Sequence, residues 1–532
     1  MTGRLCAAVA ACAVAAFTAN AADEYYWGKV DNSYDGNFDD ASHWHFGSTS
    51  GATGTVPGNG ARAMLKVDAS YTVTFPSGVY TNYSRFMAYS YQGKTVNCDG
   101  RDCVYLNPEN LEGTYETARF SLFRHNTVQD IVGFSTYNAV PDPTTSANLA
   151  LSNFYFTVTH PTARTFNAVF SQGHYNFLNP CGQQWAYSTV APCLFFFSLN
   201  NNNASATANI LDSMDVSFEQ GTTLLAPVVA LQGNACTNTL TLHGGEHNFS
   251  LLCMPARING QAFAERRTIT DFVIDDGASL ELTNALWICQ NIQATQRVER
   301  ITVKNGSFMR FPTYLQTYGT AEITFDNGRG TFGYNGRATQ NMDGQSVKGA
   351  YVVASNKSEV VFDHKGTAAG ANGNGFYFGI SATLDSSAAC KHFFVADDSL
   401  VRVKGGAKAQ FYGSDAKFRN GATLVNGGTL RFIGNKGGMP ATVMFDASAF
   451  TNNADMAFGS DGPCRLVLTN GASIVTSKII SFGGVDQNPV SYDYVNTTVD
   501  VYDSSITSTS SDGYLYLGFA AGASAVMNLH SG

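Results

Sequence analysis

Residues 468–474 read Leu468-Thr469-Asn470-Gly471-Ala472-Ser473-Ile474, and the same order of residue types occurs upstream in Phe418-Arg419-Asn420-Gly421-Ala422-Thr423-Leu424. Apolar and polar residues alternate on both sides of a central Asn-Gly pair, which is typical of two short strands. Asn and Gly accept the left-handed backbone that a sharp corner requires. The segment therefore predicts a strand, a corner, and a second strand that turns away from the first.

The same pattern recurs from about residue 266 onward, with successive corners 22 to 36 residues apart. The predicted corner positions are Asp276, Asn305, Asn327, Asp363, Asp397, Asn420, Asp446, Asn470 and Asp503. One such unit cannot bury its apolar row alone, whereas units stacked at a strand spacing of roughly 4.8 Å cover one another. The repeat predicts an all-β fold, a right-handed parallel β-helix (β-solenoid). A β-sandwich built from the same strands is the structural alternative.

The composition agrees with this fold class and excludes some partners. Charged residues make up 14% of the 532 residues and Gly contributes 52, which disfavours long salt-bridged helices. Apolar residues, at 44%, provide enough material for a core. The net charge of −9 offers no basic surface to a nucleic-acid backbone, so nucleic acid is not an expected partner.

The first residues indicate export. Met1-Thr2-Gly3-Arg4 precedes an apolar stretch from Leu5 to Phe17, and Ala19-Asn20-Ala21 is a small-x-small cleavage site. We interpret residues 1–21 as a secretory signal peptide, with a lipoprotein-type cleavage before Cys12 as the alternative. No later run reaches the roughly 18 apolar residues of a membrane-spanning helix. We therefore expect a secreted or cell-surface protein without a transmembrane segment in the mature chain.

Export also permits disulfides. The cysteines of the mature chain are Cys98, Cys103, Cys181, Cys193, Cys236, Cys253, Cys289, Cys390 and Cys464. The pairs Cys98/Cys103, Cys181/Cys193 and Cys236/Cys253 are close enough in sequence to close local loops, and buried thiols are the alternative. A zinc cluster is disfavoured because the sequence lacks the C-x-x-C pairs that such clusters use.

The amino-terminal region has a pattern of its own. It contains Tyr25-Tyr26-Trp27, then Gly36-Asn37-Phe38-Asp39-Asp40-Ala41-Ser42-His43-Trp44, Gly54-Thr55-Val56-Pro57-Gly58-Asn59-Gly60 and Tyr71-Thr72-Val73-Thr74-Phe75. In these segments the chain resembles the opening module of large secreted bacterial β-helix proteins of the autotransporter-passenger type. The resemblance implies a β-helix exported to the cell surface, and it implies no catalytic residue. The chain departs from that type because no carboxy-terminal translocator barrel or sorting signal is recognised.

We accordingly divide the chain into four parts. After the signal peptide, residues 22–105 form a β-rich cap module, residues 106–265 form irregular solenoid coils with long loops, and residues 266–532 form the regular repeats. Because Ala521 to Leu529 reads as the beginning of a further coil, we expect the repeats to be truncated at the carboxyl end and followed by an anchoring element.

Two segments of the amino-terminal module are candidate metal sites. Asp31, Ser33, Asp35 and Asp39 match the early positions of a calcium-binding loop, although position twelve, where such loops carry Glu, is Ser42. A polar loop without calcium is the favoured interpretation. His43 and His45 flank Trp44, and in a strand they share one face. We favour a solvent-exposed face for both, with Trp44 and Phe46 pointing inward, over a metal site.

Adjacent acids raise the question of catalysis. Asp275-Asp276 and Asp397-Asp398 supply neighbouring carboxylates, and Asp363-His364 resembles a lyase-type dipeptide. All lie at predicted corners, where Asp serves the backbone, so the sequence assigns no catalytic residue and no cofactor. The predicted function is a non-enzymatic secreted or cell-surface β-solenoid with a structural or adhesive role, whose loops contact glycans or other cell-surface ligands. A carbohydrate-active β-helix, either hydrolase or lyase, is the alternative.

Overall fold

A computed structural model shows the fold of the chain. The residues that it describes are 23–58, 61–67, 69–74, 78–81, 85–89, 96–100, 103–106, 122–123, 126–131, 155–158, 165–171, 173–176, 194–199, 212–234, 236–254, 268–288, 297–311, 314–317, 320–333, 340–342, 350–363, 376–379, 392–434, 440–459, 462–484, 496–518 and 523–530. The predicted signal peptide lies outside them.

Three sheets follow the chain, and the strands of the first sheet pair in chain order. They are Gly36–Asn37, Tyr71–Thr74, Val96–Gly100, Asn126–Ile131, Thr165–Ser171, Asp212–Phe218, Cys236–His243, Thr268–Asp275, Arg297–Lys304, Thr320–Asp326, Ala350–Ser355, His392–Asp397, Ser414–Arg419, Ala441–Asp446, Cys464–Thr469, Asn496–Tyr502 and Ser524–His530. Asn126–Ile131 runs antiparallel to its two neighbours. From Thr165–Ser171 to Ser524–His530 the successive strands are parallel.

The second and third sheets complete the walls of the solenoid. The second contains Leu122–Phe123, Tyr155–Val158, Gly173–Asn176, Leu194–Leu199, Thr222–Asn234, Glu246–Met254, Ser279–Ile288, Phe308–Phe311, Tyr314–Thr317, Arg329–Phe332, Glu359–Phe362, Leu400–Val403, Thr423–Asn426, Ala449–Asn452, Ser473–Thr476 and Ser505–Ser508. The third contains Gln340–Met342, Phe376–Gly379, Lys408–Tyr412, Thr429–Ile433, Met456–Phe458, Ile480–Phe482 and Leu515–Leu517.

One coil visits the three sheets in turn. Ser414–Arg419 lies in the first sheet, Thr423–Asn426 in the second and Thr429–Ile433 in the third. The chain then returns to the first sheet as Ala441–Asp446, parallel to Ser414–Arg419 and in register with it. Each coil therefore advances the chain by one strand spacing. The predicted parallel β-solenoid is confirmed, and the β-sandwich alternative is wrong.

Parallel stacking places like residues above one another in the core. In the third sheet, Phe411, Phe432, Phe458 and Phe482 form a stack with successive ring centroids 5.0, 5.3 and 5.5 Å apart. All four side chains are buried. Such offset aromatic pairs add to the hydrophobic stabilisation that burial alone supplies.

A polar ladder lies where the second sheet ends. The buried Asn426 donates its side-chain amide to Asn452 Oδ1 at 2.8 Å, and Asn452 donates to Thr476 Oγ1 at 3.0 Å. Each amide in the ladder is therefore paired with the next coil, which removes the cost of burying an unpaired polar group.

Residues with a left-handed backbone form the corners between the first and second sheets. The prediction is confirmed at Asp276, Asn305, Asn327, Asn420, Asn470 and Asp503, which all have positive φ. At three corners it is wrong, because the residues with positive φ are Asn356, Asp398 and Ala447 instead of Asp363, Asp397 and Asp446.

Each of the three errors assigns to the corner an Asp that lies at or just after the end of a strand. Asp397 and Asp446 end the preceding strands, and Asp363 follows the second-sheet strand Glu359–Phe362. Asp is favoured both at the first position of a turn, where the preceding strand ends, and inside the turn itself. The residue type therefore does not separate the two positions.

Aromatic residues form the core of the amino-terminal module. Trp27, Phe38 and Trp44 are fully buried, and the ring of Trp44 lies 5.0 Å from each of the other two. The two indole N–H groups donate to the backbone oxygens of Tyr34 and Phe38, both at 2.7 Å. The Trp side chains are thus buried with their polar atoms satisfied.

The same module contains a separate four-stranded sheet, one edge of which is covered. Glu24–Trp27 pairs in parallel with Arg62–Lys66, which in turn pairs with Arg85–Tyr89, so a coil-like sheet already begins here. On its outer side, Glu24–Trp27 pairs antiparallel with Trp44–Phe46. The segment that ends at Thr53 then lies beside Trp44–Phe46, through a bridge between His45 and Thr53. An antiparallel hairpin thereby covers an edge that would otherwise invite association.

Replacing Gly471 (φ +76°) or Gly306 (φ +78°) by Val should destabilise the protein by about 1 kcal/mol or more, because a β-branched residue tolerates a left-handed backbone poorly. A Cβ atom at either position meets nothing within 4 Å, so the backbone alone is tested. Denaturant unfolding measures the effect. Gly58→Val is the control, because Gly58 is equally open but has no positive φ. Equal stabilities of the three variants would contradict the assignment.

Replacing Trp44 by Ala should cost about 3 kcal/mol or more and expose the covered edge, because a fully buried aromatic side chain is lost. Phe46→Ala in the same strand is the matched control, since Phe46 is 50% exposed. Denaturant unfolding and light scattering measure stability and association. If W44A were as stable and as monomeric as F46A, the capping role would be wrong.

Candidate functional site

A group of charged side chains lies at one corner of the first sheet. Three successive strands, Cys236–His243, Thr268–Asp275 and Arg297–Lys304, end there in parallel. The pairing register places His243 beside Asp275, and the corner residue Asp276 follows directly. The solenoid thus assembles an imidazole, two carboxylates and an ammonium group from three coils.

The geometry of this group permits either a cation site or an internal ion pair. His243 Nδ1 lies 3.1 Å from Asp276 Oδ2 and 3.9 Å from Asp275 Oδ2. The possible ligand atoms of the three residues all lie within 4.8 Å of one another. Among the described residues, no other three His, Cys, Asp or Glu side chains come this close together. Imidazole and carboxylate ligands of this kind suit a divalent metal.

The carboxylate of Asp275 already has a full set of protein donors. Lys304 Nζ lies 2.9 Å from Oδ2, while Oδ1 accepts hydrogen bonds from the side-chain amide of Asn305 at 2.7 Å and from the Asp276 N–H at 2.8 Å. Burial alone would raise the pKa of Asp275, but these donors together hold it below its ordinary value. A metal ion would have to displace an ammonium group, so the corner serves the structure better than it serves metal binding.

The same arrangement recurs at other corners. A corner Asn donates its side-chain amide to the Asp that ends the first-sheet strand one coil earlier. The pairs are Asn305 with Asp275, Asn356 with Asp326, Asn420 with Asp397, and Asn470 with Asp446. We call this set the corner ladder. Sequence reasoning missed it, and the available signal was an Asp directly before one corner followed by an Asn at the next.

A second charged group lies on the outer face of the first sheet. Arg300 Nε lies 2.7 Å from Glu322 Oε2, and a terminal nitrogen of Arg300 lies 3.8 Å from Asp271 Oδ1. Burial raises the pKa of Asp271, whereas hydrogen bonding to Glu322 raises that of Arg300. Two carboxylates on either side of one guanidinium form a bridged row and resemble only loosely the paired acids of a glycosidase.

The four candidate calcium ligands have separate roles. Asp31 has positive φ and lies in the turn between Val30 and Ser33, whose backbones pair with each other. Ser33 Oγ accepts the N–H of Asp35, and Asp35 Oδ1 accepts the N–H of Thr72 at 2.6 Å. Asp39 is exposed. Within the described residues, Asp31, Asp35 and Asp39 do not converge into one group of ligand atoms.

The prediction that His43 lies on a solvent-exposed face and Phe46 points inward is wrong. His43 is 3% exposed, stacks on Trp27 with centroids 4.4 Å apart, and contacts Gly28 O through Nδ1 at 2.8 Å. Phe46 is half exposed. The cause is a 3-10 turn over Ala41–His43, which interrupts the strand alternation so that His43 and Trp44 both point inward. His43 is therefore a core residue.

The other sequence candidates are also placed. Asp397 forms an ion pair with Arg419 at 2.8 Å and accepts the amide of Asn420, whereas Asp398 forms the corner. Asp363 forms an ion pair with Lys404 at 2.8 Å, and His364 lies outside the described residues. Among the described residues, Asp363 and Asp397 are thus each held in an ion pair, and Asp398 forms a corner.

Buried titratable groups do not supply a reactive centre. Cys253 and Cys464 are buried thiols, and burial raises the pKa of both well above the ordinary value, so neither is an activated nucleophile. Burial lowers the pKa of His247 to about 4, which keeps its imidazole neutral. The remaining cysteine side chains lie outside the described residues.

The chain matches no family model, no curated protein and no solved structure. In the described part of the chain, no helix has the length and apolar character to cross a membrane.

Asp275 and Asp276 give a matched pair of variants. Asp275→Ala should destabilise the protein by about 2 kcal/mol or more. The substitution removes the carboxylate that accepts from Lys304, Asn305 and the Asp276 N–H, and it leaves the Lys304 ammonium group without this ion pair. Asp276→Asn should be nearly silent, because Asn occupies the same corner at Asn305 and Asn470. Because the pKa of Asp275 is lowered in the folded protein, its contribution is present above the ordinary carboxyl pKa and is lost as the pH falls through the folded pKa.

The measurement is denaturant unfolding of both variants and the wild type at neutral pH and at a series of acidic pH values. The stability difference between the wild type and D275A should shrink at the acidic end. A difference that does not depend on pH, or a D276N variant as unstable as D275A, would contradict this account.

Proposed function

We propose that the protein is a non-enzymatic, exported β-solenoid that has a structural or adhesive role outside the cell or at its surface. The observation that supports this proposal best is the corner ladder. Its carboxylates end every second strand of the first sheet, and each accepts a hydrogen bond from a corner amide of the next coil. Groups that are saturated in this way hold the stack together and are poorly suited to acid and base catalysis.

The outer ion pairs support the same interpretation. Arg419 pairs with Asp397, Arg402 with Glu359, and Lys404 with Asp363, each between neighbouring coils. A hydrolase would instead need two carboxylates that face each other across a groove, with one able to hold a proton. Asp271 and Glu322 come nearest to this among the residues discussed, and Arg300 lies between them.

Exposed aromatic side chains are the groups that suit an adhesive role toward glycans. Tyr514 is 52% exposed and Tyr516 is 36% exposed, and their ring centroids lie 6.0 Å apart in the last coil. Tyr351 and Phe393 form a second outward pair, with centroids 5.3 Å apart. Aromatic rings at a surface offer apolar area together with a polar edge, which is a common basis for ligand contact.

The test is a screen of the purified protein against plant and host polysaccharides, read in parallel for binding and for the release of reducing ends. We expect no release above that of a heat-denatured sample. Any binding should decrease in a Tyr514→Ala/Tyr516→Ala variant, with Phe46→Ala as the control for loss of an exposed aromatic. Release of reducing ends that an Asp271→Asn/Glu322→Gln variant abolishes would overturn the proposal and establish the enzyme alternative.

A further inference from the structure

Four corners carry an Asn-Gly pair, which is a chemically labile sequence. They are Asn305-Gly306, Asn327-Gly328, Asn420-Gly421 and Asn470-Gly471. The backbone nitrogen of the Gly, once deprotonated, can attack Cγ of the Asn because Gly has no side chain to obstruct it. The new C–N bond closes a succinimide ring while the bond from Cγ to Nδ2 breaks and ammonia leaves. Water then opens the ring to Asp or isoaspartate.

Three of these corners restrain both reacting groups. The side-chain amides of Asn305, Asn420 and Asn470 donate to the corner-ladder carboxylates at 2.7, 2.8 and 2.6 Å, respectively. The N–H groups of the three following Gly residues donate to backbone carbonyls of the next coil. These bonds are Gly306 to Asn327 at 2.7 Å, Gly421 to Ala447 at 2.8 Å, and Gly471 to Asp503 at 3.0 Å. Attack therefore requires at least two hydrogen bonds to break.

Asn327 lacks the first of these restraints. The strand-end residue one coil earlier is Lys304, which lies beside Asp326 in the register and forms an ion pair with Asp275. A cation stands where the other corners have a carboxylate. The exposed Asn327 side chain makes no hydrogen bond within the described residues.

The second restraint is also different at this corner. The Gly328 N–H donates to the hydroxyl oxygen of Ser358 at 3.0 Å instead of to a backbone carbonyl. A hydroxyl group can rotate away from a donor, whereas a backbone carbonyl at a corner can move only if the corner itself changes conformation. Gly328 is buried, which hinders deprotonation of its nitrogen, whereas the rotatable hydroxyl acceptor makes that nitrogen easier to release. These two effects oppose each other. The decisive difference is therefore the side-chain amide of Asn327, which no carboxylate holds.

We propose that Asn327 is a site of spontaneous deamidation in the folded protein, and that Asp275, Asp397 and Asp446 protect the three other Asn-Gly corners. The charge of the product follows the same logic. A new carboxylate at Asn305, Asn420 or Asn470 would face an existing carboxylate and be repelled by it. At Asn327 the strand of the preceding coil ends in the cationic Lys304, so this repulsion is missing. The corner ladder thereby preserves the turns on which the coils depend.

The test is peptide mapping by mass spectrometry after prolonged incubation of the 532-residue protein in mildly alkaline buffer. The Asp and isoaspartate fractions are measured at all four corners, once in the folded protein and once in denaturant. In the folded protein, deamidation at Asn327 should exceed that at the other three by roughly tenfold or more, the factor that a charge-assisted hydrogen bond supplies when it must break first. In denaturant the four rates should converge. The same order of rates in both conditions, or a folded-state rate at Asn327 no higher than at Asn420, would overturn the proposal.

A variant separates protection by the carboxylate from protection by the fold. Asp446→Ala removes the acceptor of Asn470 and should raise deamidation there by roughly tenfold. Asn420 is the internal control and should be unchanged. If D446A loosens neighbouring coils, the rate at Asn420 rises as well, and Asp446→Asn then decides, because its amide oxygen still accepts the hydrogen bond and should keep Asn470 protected. An unchanged rate at Asn470 in D446A would contradict the role of the carboxylate.

Discussion

The whole structure depends on in-register backbone hydrogen bonding between successive parallel coils. Phe418 lies beside Phe445, and Phe445 beside Leu468, so each strand position is defined relative to the coil before it. Because the register is constant, every coil has to turn at the same position along its first-sheet strand. The left-handed corner therefore recurs, and differences in coil length fall in the connections that enter and leave the third sheet. The link from Thr429–Ile433 to Ala441 is short, whereas that from Ile480–Phe482 to Asn496 is longer.

Stacking multiplies the effect of each residue type. A single Phe in the third sheet would bury one ring, but Phe432 between Phe411 and Phe458 gains an aromatic neighbour on each side. Asn452 likewise accepts from Asn426 and donates to Thr476, so one buried amide is satisfied by two coils. The corner ladder follows the same rule with a charged acceptor. A chain with a net charge of −9 can thus place Asp residues at many corners without concentrating unpaired charge.

This arrangement also explains why the acidic corners are poor catalytic candidates. Catalysis by paired carboxylates requires that one group hold a proton and that both face an open groove. At Asp275, the donors Lys304 and Asn305 favour the ionised form and occupy both oxygens. The surface that remains for ligands consists of the outward faces and loops, where Tyr514 and Tyr516 are exposed. A structural or adhesive function is consistent with both features.

The sequence by itself determined the fold class and most of the corners, because alternating strands and the left-handed preference of Asn-Gly are local properties of the chain. It did not separate Asp397 from Asp398 or Asp446 from Ala447, since the end of a strand and the turn both favour Asp. It also misplaced His43, because a short 3-10 turn interrupts the alternation that periodicity assumes. Only the tertiary structure decided which residues of neighbouring coils come into contact. The pairing of Asn470 with Asp446, and its absence at Asn327, arise from contacts between residues far apart in sequence, whose register no local pattern specifies.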